Sequence, residues 1–234
     1  MTNLVIATRN SHKIIEIRDV LGTQFHCLSL EDLPDAPLVH EDGHTFAQNA
    51  TKKAALLATW LFASAMLNGP AVARLNFVLA DDSGLEVDAL NGAPGVHSAR
   101  FAATDRAEGN SSDVDNLNKL LRLLENVPLE KRSARFRCVL ALTPTIMSST
   151  GKLPTADESE TQTRLFEGAC EGRIAFAPRG KGGFGYDPVF IPTGYEQSFA
   201  ELGDQRKNGL SHRAKALGKL KQWLDASWEN IPAG

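Results

Sequence analysis

The chain has 234 residues, of which 42% are hydrophobic and 23% are charged, and its formal net charge at pH 7 is −3. This length and composition are typical of a globular protein with a sizeable core, in one large domain or two closely associated lobes. The negative net charge makes broad, unspecific binding to a nucleic-acid backbone unfavourable, so an anionic ligand would need locally clustered basic residues.

The three cysteines, Cys27, Cys138 and Cys170, lie far apart and form no CxxC pair. That spacing disfavours a zinc site or a disulfide framework and fits a reducing cytosol. The N-terminus carries no basic leader or cleavage-like segment, and the most apolar stretch, 54–67, is too short to span a bilayer. We therefore expect a cytoplasmic protein with no membrane association.

The first third of the chain predicts the start of an α/β protein. The apolar run NLVIA (3–7) indicates a buried strand, and helical spacing follows over residues 13–21. The run FHCLSL indicates a second strand. After a loop over 34–45, apolar residues recur on one face from Thr45 and predict a long helix.

In the middle of the chain, NFVLA (76–80) predicts a strand that ends at Asp81 and Asp82, and alternation in LEVDAL (85–90) predicts another. Turn residues fill NGAPG at 91–95. Ser112 and Asp113 are candidate caps of the next helix, and RFRCVLAL (135–142) predicts a further strand.

The last third begins with residues 144–163, which are polar and rich in Ser and Thr, and predict a mobile loop or an extended hairpin tip. RLFEGACEGRIAF predicts two strands joined at Glu171–Gly172. A glycine-rich loop then leads into a strand, and the last strong helix follows Ser211. No linker-like segment divides the chain, so we expect one mixed α/β domain over 1–234.

Residues 7–13, ATRNSHK, lie between the first strand and the first helix, where backbone N–H groups favour anions. Thr8 and Asn10 add neutral donors, and Lys13 adds a charge one turn into the helix. The spacing is not that of the GxxxxGK[ST] phosphate loop. On this local pattern alone, a capped helix with a surface lysine is favoured over a phosphate site.

Asp81, Asp82 and Glu86 lie at or just after a predicted strand end, where open α/β sheets place ligands. One or two of these carboxylates could supply oxygens to Mg²⁺, which takes hard ligands and keeps several waters. A bound cation would explain why two like charges stand side by side. The alternative is a turn, because Asp-Ser-Gly suits a turn with both acids in solvent. The local pattern leaves both interpretations open.

Two C-terminal segments are also candidates for ligand binding. In PRGKGGFGYDP (178–188), glycines allow close approach of the backbone to a ligand, and Phe184 and Tyr186 could stack on a flat base. The alternative there is a flexible hairpin loop with an aromatic plug.

The second segment, 205–220, concentrates basic side chains: Arg206, Lys207, His212, Arg213, Lys215 and Lys219. With Ser211 as N-cap, two of them enter the first turn of a helix, where positive charge opposes the helix dipole unless an anion binds. The alternative is a solvated basic face. Together these pieces suit a nucleoside polyphosphate bound with Mg²⁺.

Long ordered motifs then indicate a family. DDSGLEVDAL, GAPGVHSAR, GGFGYDPVF and KNGLSHRAKAL occur in the expected order. In them the sequence resembles the inosine triphosphate pyrophosphatase family, Mg²⁺-dependent enzymes that hydrolyse ITP, dITP and XTP to the monophosphate and pyrophosphate. The match spans residues 4–217, and the segments 60–76 and 144–163 resemble insertions.

The resemblance implies the site residues. Asp82 would be the metal-associated catalytic carboxylate that accepts a proton from water, and Glu41 the second metal ligand, with His40 standing where many relatives carry an acid. The triphosphate loop would comprise Thr8, Arg9, Asn10, Ser11, His12 and Lys13. The remaining substrate contacts would come from Ser83, Phe184 (stacking on the base), Gly185, Tyr186, Asp187, Lys207, His212 and Arg213.

The resemblance further implies an elongated mixed β-sheet with flanking helices and two lobes around a central cleft, in a protein that is usually a homodimer. Two rivals stay open: a pyrophosphatase of the septum-formation-inhibitor type, acting on modified pyrimidine or methylated guanine nucleotides, and a nucleotide-binding regulator without catalysis. A nucleic-acid-binding role would rest only on the basic patch at 206–221.

Overall fold

The computed structural model describes residues 2–68, 77–103, 109–145 and 155–227. Its strands are β1 (Thr2–Ile6), β2 (Phe25–Ser29), β3 (Phe77–Val87), β4 (Ser133–Pro144), β5 (Arg164–Ile174) and β6 (Phe190–Pro192). They form a six-stranded sheet in the order β2-β1-β3-β4-β5-β6. Since β1 pairs in parallel with β2 and β3, whereas β5 and β6 are antiparallel, the sheet is mixed.

The described helices are α1 (Ser11–Leu21), α2 (Phe46–Asn68), α3 (Asp113–Leu123), α4 (Ala156–Thr161), α5 (Phe199–Leu210) and α6 (His212–Ser227). Short 3-10 helices cover Asp88–Leu90, Gly95–Arg100 and Leu129–Lys131. The predicted α/β class, a mixed sheet with flanking helices, is confirmed. No helix among the described residues is both long and apolar enough to cross a membrane.

The chain forms two compact units. The first comprises Met1–Asp82, Val139–Glu167 and Ala216–Gly234. Its core includes the fully buried β1 residues Leu4, Val5 and Ile6. The ring of Trp223 packs against Phe77 at 6.3 Å and Phe166 at 6.0 Å between centroids, which joins α6 to two strands of this unit.

The second unit comprises Ser83–Cys138 and Gly168–Lys215. Aromatic rings dominate its core: Phe136 lies 4.7 Å from Phe190 and 6.0 Å from Phe199 between ring centroids. Arg132 is also buried there and donates to the carbonyls of Leu124, Val127 and Ala175. These bonds satisfy carbonyls where α3 ends and where the chain leaves β5.

Two predicted breaks between strands are wrong, and with the first of them the turn that was left open as an alternative at Asp81 and Asp82. The segment 81–84 lies inside β3, which is one strand from Phe77 to Val87, because Asp81 and Asp82 find partners that let them lie in a buried strand. Glu171–Gly172 lies inside β5. A Cβ atom on Gly172 would collide with the Ile191 carbonyl oxygen, so this glycine marks the close approach of β6 rather than a turn.

Two helices were missed. Helix α5 occupies 199–210, and within it Gly203 adopts φ +74°, a conformation that favours glycine and interrupts the helix. Helix α4 lies in the segment 144–163 that we predicted to be a loop or hairpin tip, and Thr155 and Glu158 form its capping box. Residues 146–154 of that segment and residues 69–76 of the other predicted insertion lie outside the described residues.

Candidate active site

A group of charged and amide side chains in the first unit surrounds Asp81 and Asp82. We call Lys13, Glu41, Asn49, Lys53, Asp81 and Asp82 the acidic group. Asp81 is only 2% exposed and forms an ion pair with the Lys13 ammonium of α1. Successive side chains of a strand point to opposite faces, so the two carboxylates are directed away from each other.

The Asp82 carboxylate contacts two side chains of helix α2. Its Oδ2 accepts a hydrogen bond of 3.0 Å from Asn49 Nδ2, and its Oδ1 lies 3.7 Å from Lys53 Nζ. Burial raises the pKa of Asp82 above its usual range, although the positive charges of Lys53 and Lys13 act in the opposite direction. A carboxylate with a raised pKa is a better proton acceptor than an ordinary surface aspartate.

Lys53 contacts both Glu41 and the strand that carries Asp81 and Asp82. Its Nζ donates to Glu41 Oε1 at 3.0 Å and to the Asp81 backbone oxygen at 2.7 Å. Asn49 and Lys53 are four residues apart on α2 and therefore share a face. We assigned neither residue a role from the sequence, although both lie within the long helix that the apolar periodicity predicted.

The carboxylates of the acidic group are of the kind that hard cations such as Mg²⁺ take as ligands. Among the described residues, no three His, Cys, Asp or Glu side chains are arranged to hold a metal alone. Magnesium, however, is usually bound through one or two carboxylates, with phosphate oxygens and waters completing its shell. Glu41 and Asp82 both face the Lys53 ammonium, so their oxygens already converge on one cation. His40 is exposed.

The loop before α1 is organised by its own polar side chains. Thr8 Oγ1 accepts from the Asn10 N–H, and Asn10 Oδ1 caps α1 by accepting from the Lys13 N–H, both at 3.2 Å. Arg9 donates to the Ala36 carbonyl, whereas Ser11 and His12 are exposed. The predicted helix cap is confirmed. The interpretation of Lys13 as a plain surface lysine is wrong, because its ammonium pairs with the buried Asp81.

In the second unit, the loop at 183–187 is built around the buried Asp187 carboxylate. Its Oδ2 accepts from the Phe184 N–H at 2.9 Å and from Lys207 Nζ at 2.8 Å. The Lys207 ammonium also lies 4.5 Å from the centroid of the half-buried Phe184 ring. A Cβ atom on Gly183 would collide with the same carboxylate, so glycine is needed there.

The basic residues at the start of α6 are buried, not solvated. Arg213 is 1% exposed and donates to Ser83 Oγ at 2.9 Å, and its guanidinium carbon lies 6.0 Å from the Phe184 ring centroid. His212 stacks on Phe136 at 4.8 Å between centroids. Ser211 caps α6 as predicted, because its Oγ accepts from the Ala214 N–H.

The solvated-face alternative is therefore wrong for Lys207, His212 and Arg213 but holds for Arg206, Lys215 and Lys219, which are exposed. All three buried basic residues belong to the second unit, as do Ser83 and the 183–187 loop. The second unit thus brings Ser83, Phe184, Asp187, Lys207 and Arg213 together, which are five of the residues that the resemblance predicts as substrate contacts.

The motif GAPGVHSAR has a structural role that the sequence analysis did not predict. Ser98 Oγ accepts from the Leu85 N–H at 2.9 Å and donates to the Gly95 carbonyl at 2.6 Å. The Ser98 carbonyl in turn accepts from the buried Tyr186 hydroxyl at 2.9 Å. Ser98 therefore links β3, the 3-10 helix and the aromatic loop of the second unit.

Comparison with known proteins finds relatives that all point to one family. The profile of the Ham1 family matches residues 4–223. A dITP/XTP pyrophosphatase of Geobacillus kaustophilus is 46% identical over 235 residues, covering 100% of this chain and 98% of the relative. One from Shouchella clausii is 41% identical over 228 residues, covering 97% and 99%. The solved structure of a HAM1 protein from Coxiella burnetii is 34% identical, with a TM-score of 0.75 and coverage of 97% and 100%. The resemblance predicted from the motifs is confirmed.

Proposed function

Because the chain belongs to the Ham1 family, we propose that it hydrolyses non-canonical purine nucleoside triphosphates, such as dITP, XTP and ITP, to the monophosphate and pyrophosphate. Relatives that cover its whole length carry the name dITP/XTP pyrophosphatase. The observation that supports the proposal most is the acidic group, in which a buried Asp82 with a raised pKa lies beside two lysines and Glu41. This arrangement suits the activation of water next to a polyanion.

We assign Glu41 and Asp82 as the residues that would hold Mg²⁺. When bound, the ion would neutralise charge that develops on the phosphate oxygens. Asp82 orients and deprotonates the attacking water, and Asn49 keeps the Asp82 carboxylate in place through its hydrogen bond. Lys13 and Lys53 supply positive charge against the triphosphate, and positioning and electrostatics dominate catalysis of this kind.

The second unit supplies the base contacts. Phe184 stacks on the purine, and Lys207 is a donor for a 6-keto oxygen. Adenine carries an amino group at that position. The amino group and the Lys207 ammonium would both be hydrogen-bond donors with no acceptor between them, so adenine would bind poorly. Arg213, His212 and Ser83 complete the contacts, with the Arg213–Ser83 hydrogen bond fixing both side chains. The Thr8–Lys13 loop contributes to phosphate binding.

The proposal also covers the location, cellular role and oligomeric state of the enzyme. It acts in the cytoplasm, cleanses the nucleotide pool, and works as a homodimer without nucleic acid or membrane partners. Size-exclusion chromatography with light scattering measures the oligomeric state directly.

The test is a panel of triphosphates assayed for pyrophosphate release with and without Mg²⁺. We expect ITP, dITP and XTP to be hydrolysed only with the metal, and ATP, whose base carries an amino donor in place of the 6-keto oxygen, to be a poor substrate. The Asp82→Asn variant should lose about 10²–10⁴-fold in kcat, the usual contribution of a general base. Asp88→Asn, which removes an exposed carboxylate bonded to Ser133, is the matched control and should keep full activity.

Preferential hydrolysis of modified pyrimidine or methylated guanine triphosphates would instead support the septum-formation-inhibitor type. Binding of ITP without pyrophosphate release would indicate a regulator. Near-normal hydrolysis of ITP by a folded Asp82→Asn variant would contradict the catalytic assignment. Salt-sensitive retention of DNA would be needed to revive a nucleic-acid role.

A further inference from the structure

Asp113, the first residue of α3, makes a long-range contact that helix capping does not explain. Ser112 is the N-cap, and its Oγ accepts from the Asp115 N–H. The Asp113 carboxylate instead accepts a hydrogen bond of 2.7 Å from the backbone N–H of Gly185, 72 positions along the chain. This side chain therefore reaches from a helix to the loop that carries Phe184.

The residues on either side of Gly185 are anchored separately. The Phe184 N–H donates to Asp187 Oδ2, and the Tyr186 hydroxyl donates to the Ser98 carbonyl. Three consecutive residues of the loop are thus held by three different partners: Asp187 within the loop, Asp113 of α3 and Ser98 of the 3-10 helix Gly95–Arg100. Gly185 has φ +60°, so its backbone stays in the left-handed region while its N–H meets Asp113.

Of these three anchors, only Asp113 is at the surface. Asp187 and Ser98 are buried, whereas Asp113 is exposed. Burial raises the pKa of Tyr186, and the nearby Asp113 charge adds to that effect. Loss of an exposed contact costs little overall stability, so its removal should free the loop without unfolding the protein.

We propose that Asp113 is a positioning residue for base recognition, which holds the Phe184 ring in its stacking orientation through the Gly185 N–H. This inference rests on the proposed function of Phe184 and extends it to a residue that touches no substrate. The contact restricts the loop before the nucleotide arrives, so less ordering entropy is lost on binding. Its effect falls on substrate affinity, not on the chemical step.

The test compares three variants in steady-state hydrolysis of ITP. We expect Asp113→Ala to raise KM by about three- to tenfold with kcat nearly unchanged, because uniform binding is lost. Asp113→Asn keeps an acceptor oxygen and should restore most of the affinity. Asp115→Ala, which removes the same charge from the same helical turn, is the matched control and should leave KM unchanged.

Two further measurements separate positioning from a merely structural effect. In a Phe184→Ala background, Asp113→Ala should add nothing to the loss, because both act through one ring. Hydrogen exchange of the peptide containing Gly185 should become at least about tenfold faster in Asp113→Ala and stay unchanged in Asp115→Ala.

An unchanged KM in Asp113→Ala, equal effects of Asp113→Ala and Asp115→Ala, or additivity with Phe184→Ala would each overturn the proposal. If the wild-type protein hydrolysed none of the triphosphates, the proposed function would fail. The exchange experiment would still decide whether Asp113 orders the loop. If hydrogen exchange of the Gly185 peptide were as slow in Asp113→Ala as in wild type, Asp113 would not hold the loop.

Discussion

Replacing Lys207 with methionine tests the buried ion pair beneath the 183–187 loop. The side chains of Lys207 and Asp187 are 2% and 3% exposed, and the two charges lie 2.8 Å apart. With an effective dielectric constant of about 20, that separation corresponds to an attraction of about 6 kcal/mol before desolvation is counted. Removing one partner of such a pair leaves an uncompensated buried charge.

We expect Lys207→Met to lower the free energy of unfolding by about 3–5 kcal/mol. For a chain of this size, the corresponding fall in Tm is about 6–20 °C. The double variant Lys207→Met/Asp187→Asn removes both charges and keeps an acceptor for the Phe184 N–H, so it should lie within about 2 kcal/mol of wild type.

Urea titrations at pH 7 with a common slope measure these differences. Lys215→Met, which removes an exposed lysine bonded to the Ala169 carbonyl, is the control and should change stability by less than about 1 kcal/mol. A Lys207→Met variant as stable as the control would refute the reasoning. So would a double variant whose loss equals the sum of the two single losses.

Three other predictions concern charges elsewhere. Arg132→Met leaves buried carbonyls without their donor, and urea titration should show a loss of about 3–5 kcal/mol with kcat on ITP retained. Lys53→Met removes the ammonium shared by Glu41 and Asp82, so kcat/KM should fall about 10–100-fold in a pyrophosphate assay, whereas Lys52→Met, at a half-buried lysine paired with Asp42, should not change it. The Ser29 N–H and hydroxyl hold the pKa of Asp32 below its usual value, so its stabilisation is present above the unfolded pKa and is lost as pH falls through the folded pKa. Asp32→Asn should therefore show a shallower acid-side fall in Tm, and an unchanged profile would contradict this.

The elements that the sequence predicted well are those whose signal is local. Apolar periodicity located α1, α2 and α6, and compact apolar runs located β1, β2 and β4. Helix α5 was missed because Gly203 and Gly209 weaken its pattern, although Ser198 and Glu201 form a capping box that marks its start. Helix starts with such boxes are recognisable even where apolar spacing is poor.

Long-range partners account for the larger errors. β3 was divided at its aspartates because their charges argue for a turn when only neighbours in sequence are considered. The residues that make a continuous strand tolerable, Lys13, Asn49 and Lys53, lie 28 or more positions away. Lys53 gave no local signal, since a lysine on a helix is ordinarily a solvated side chain.

The position of Asp81 and Asp82 within β3 bears on how the proposed site could work. A turn would have left both acids in solvent, whereas strand alternation directs them to opposite faces, where different partners meet them. Asp81 is neutralised by a close ion pair with Lys13, but Asp82 keeps an amide donor and a more distant ammonium, so its negative charge is less fully compensated. Of two adjacent aspartates, Asp81 is the structural partner of a lysine, and this difference supports the proposal that Asp82 is the carboxylate that acts on a cation and a water.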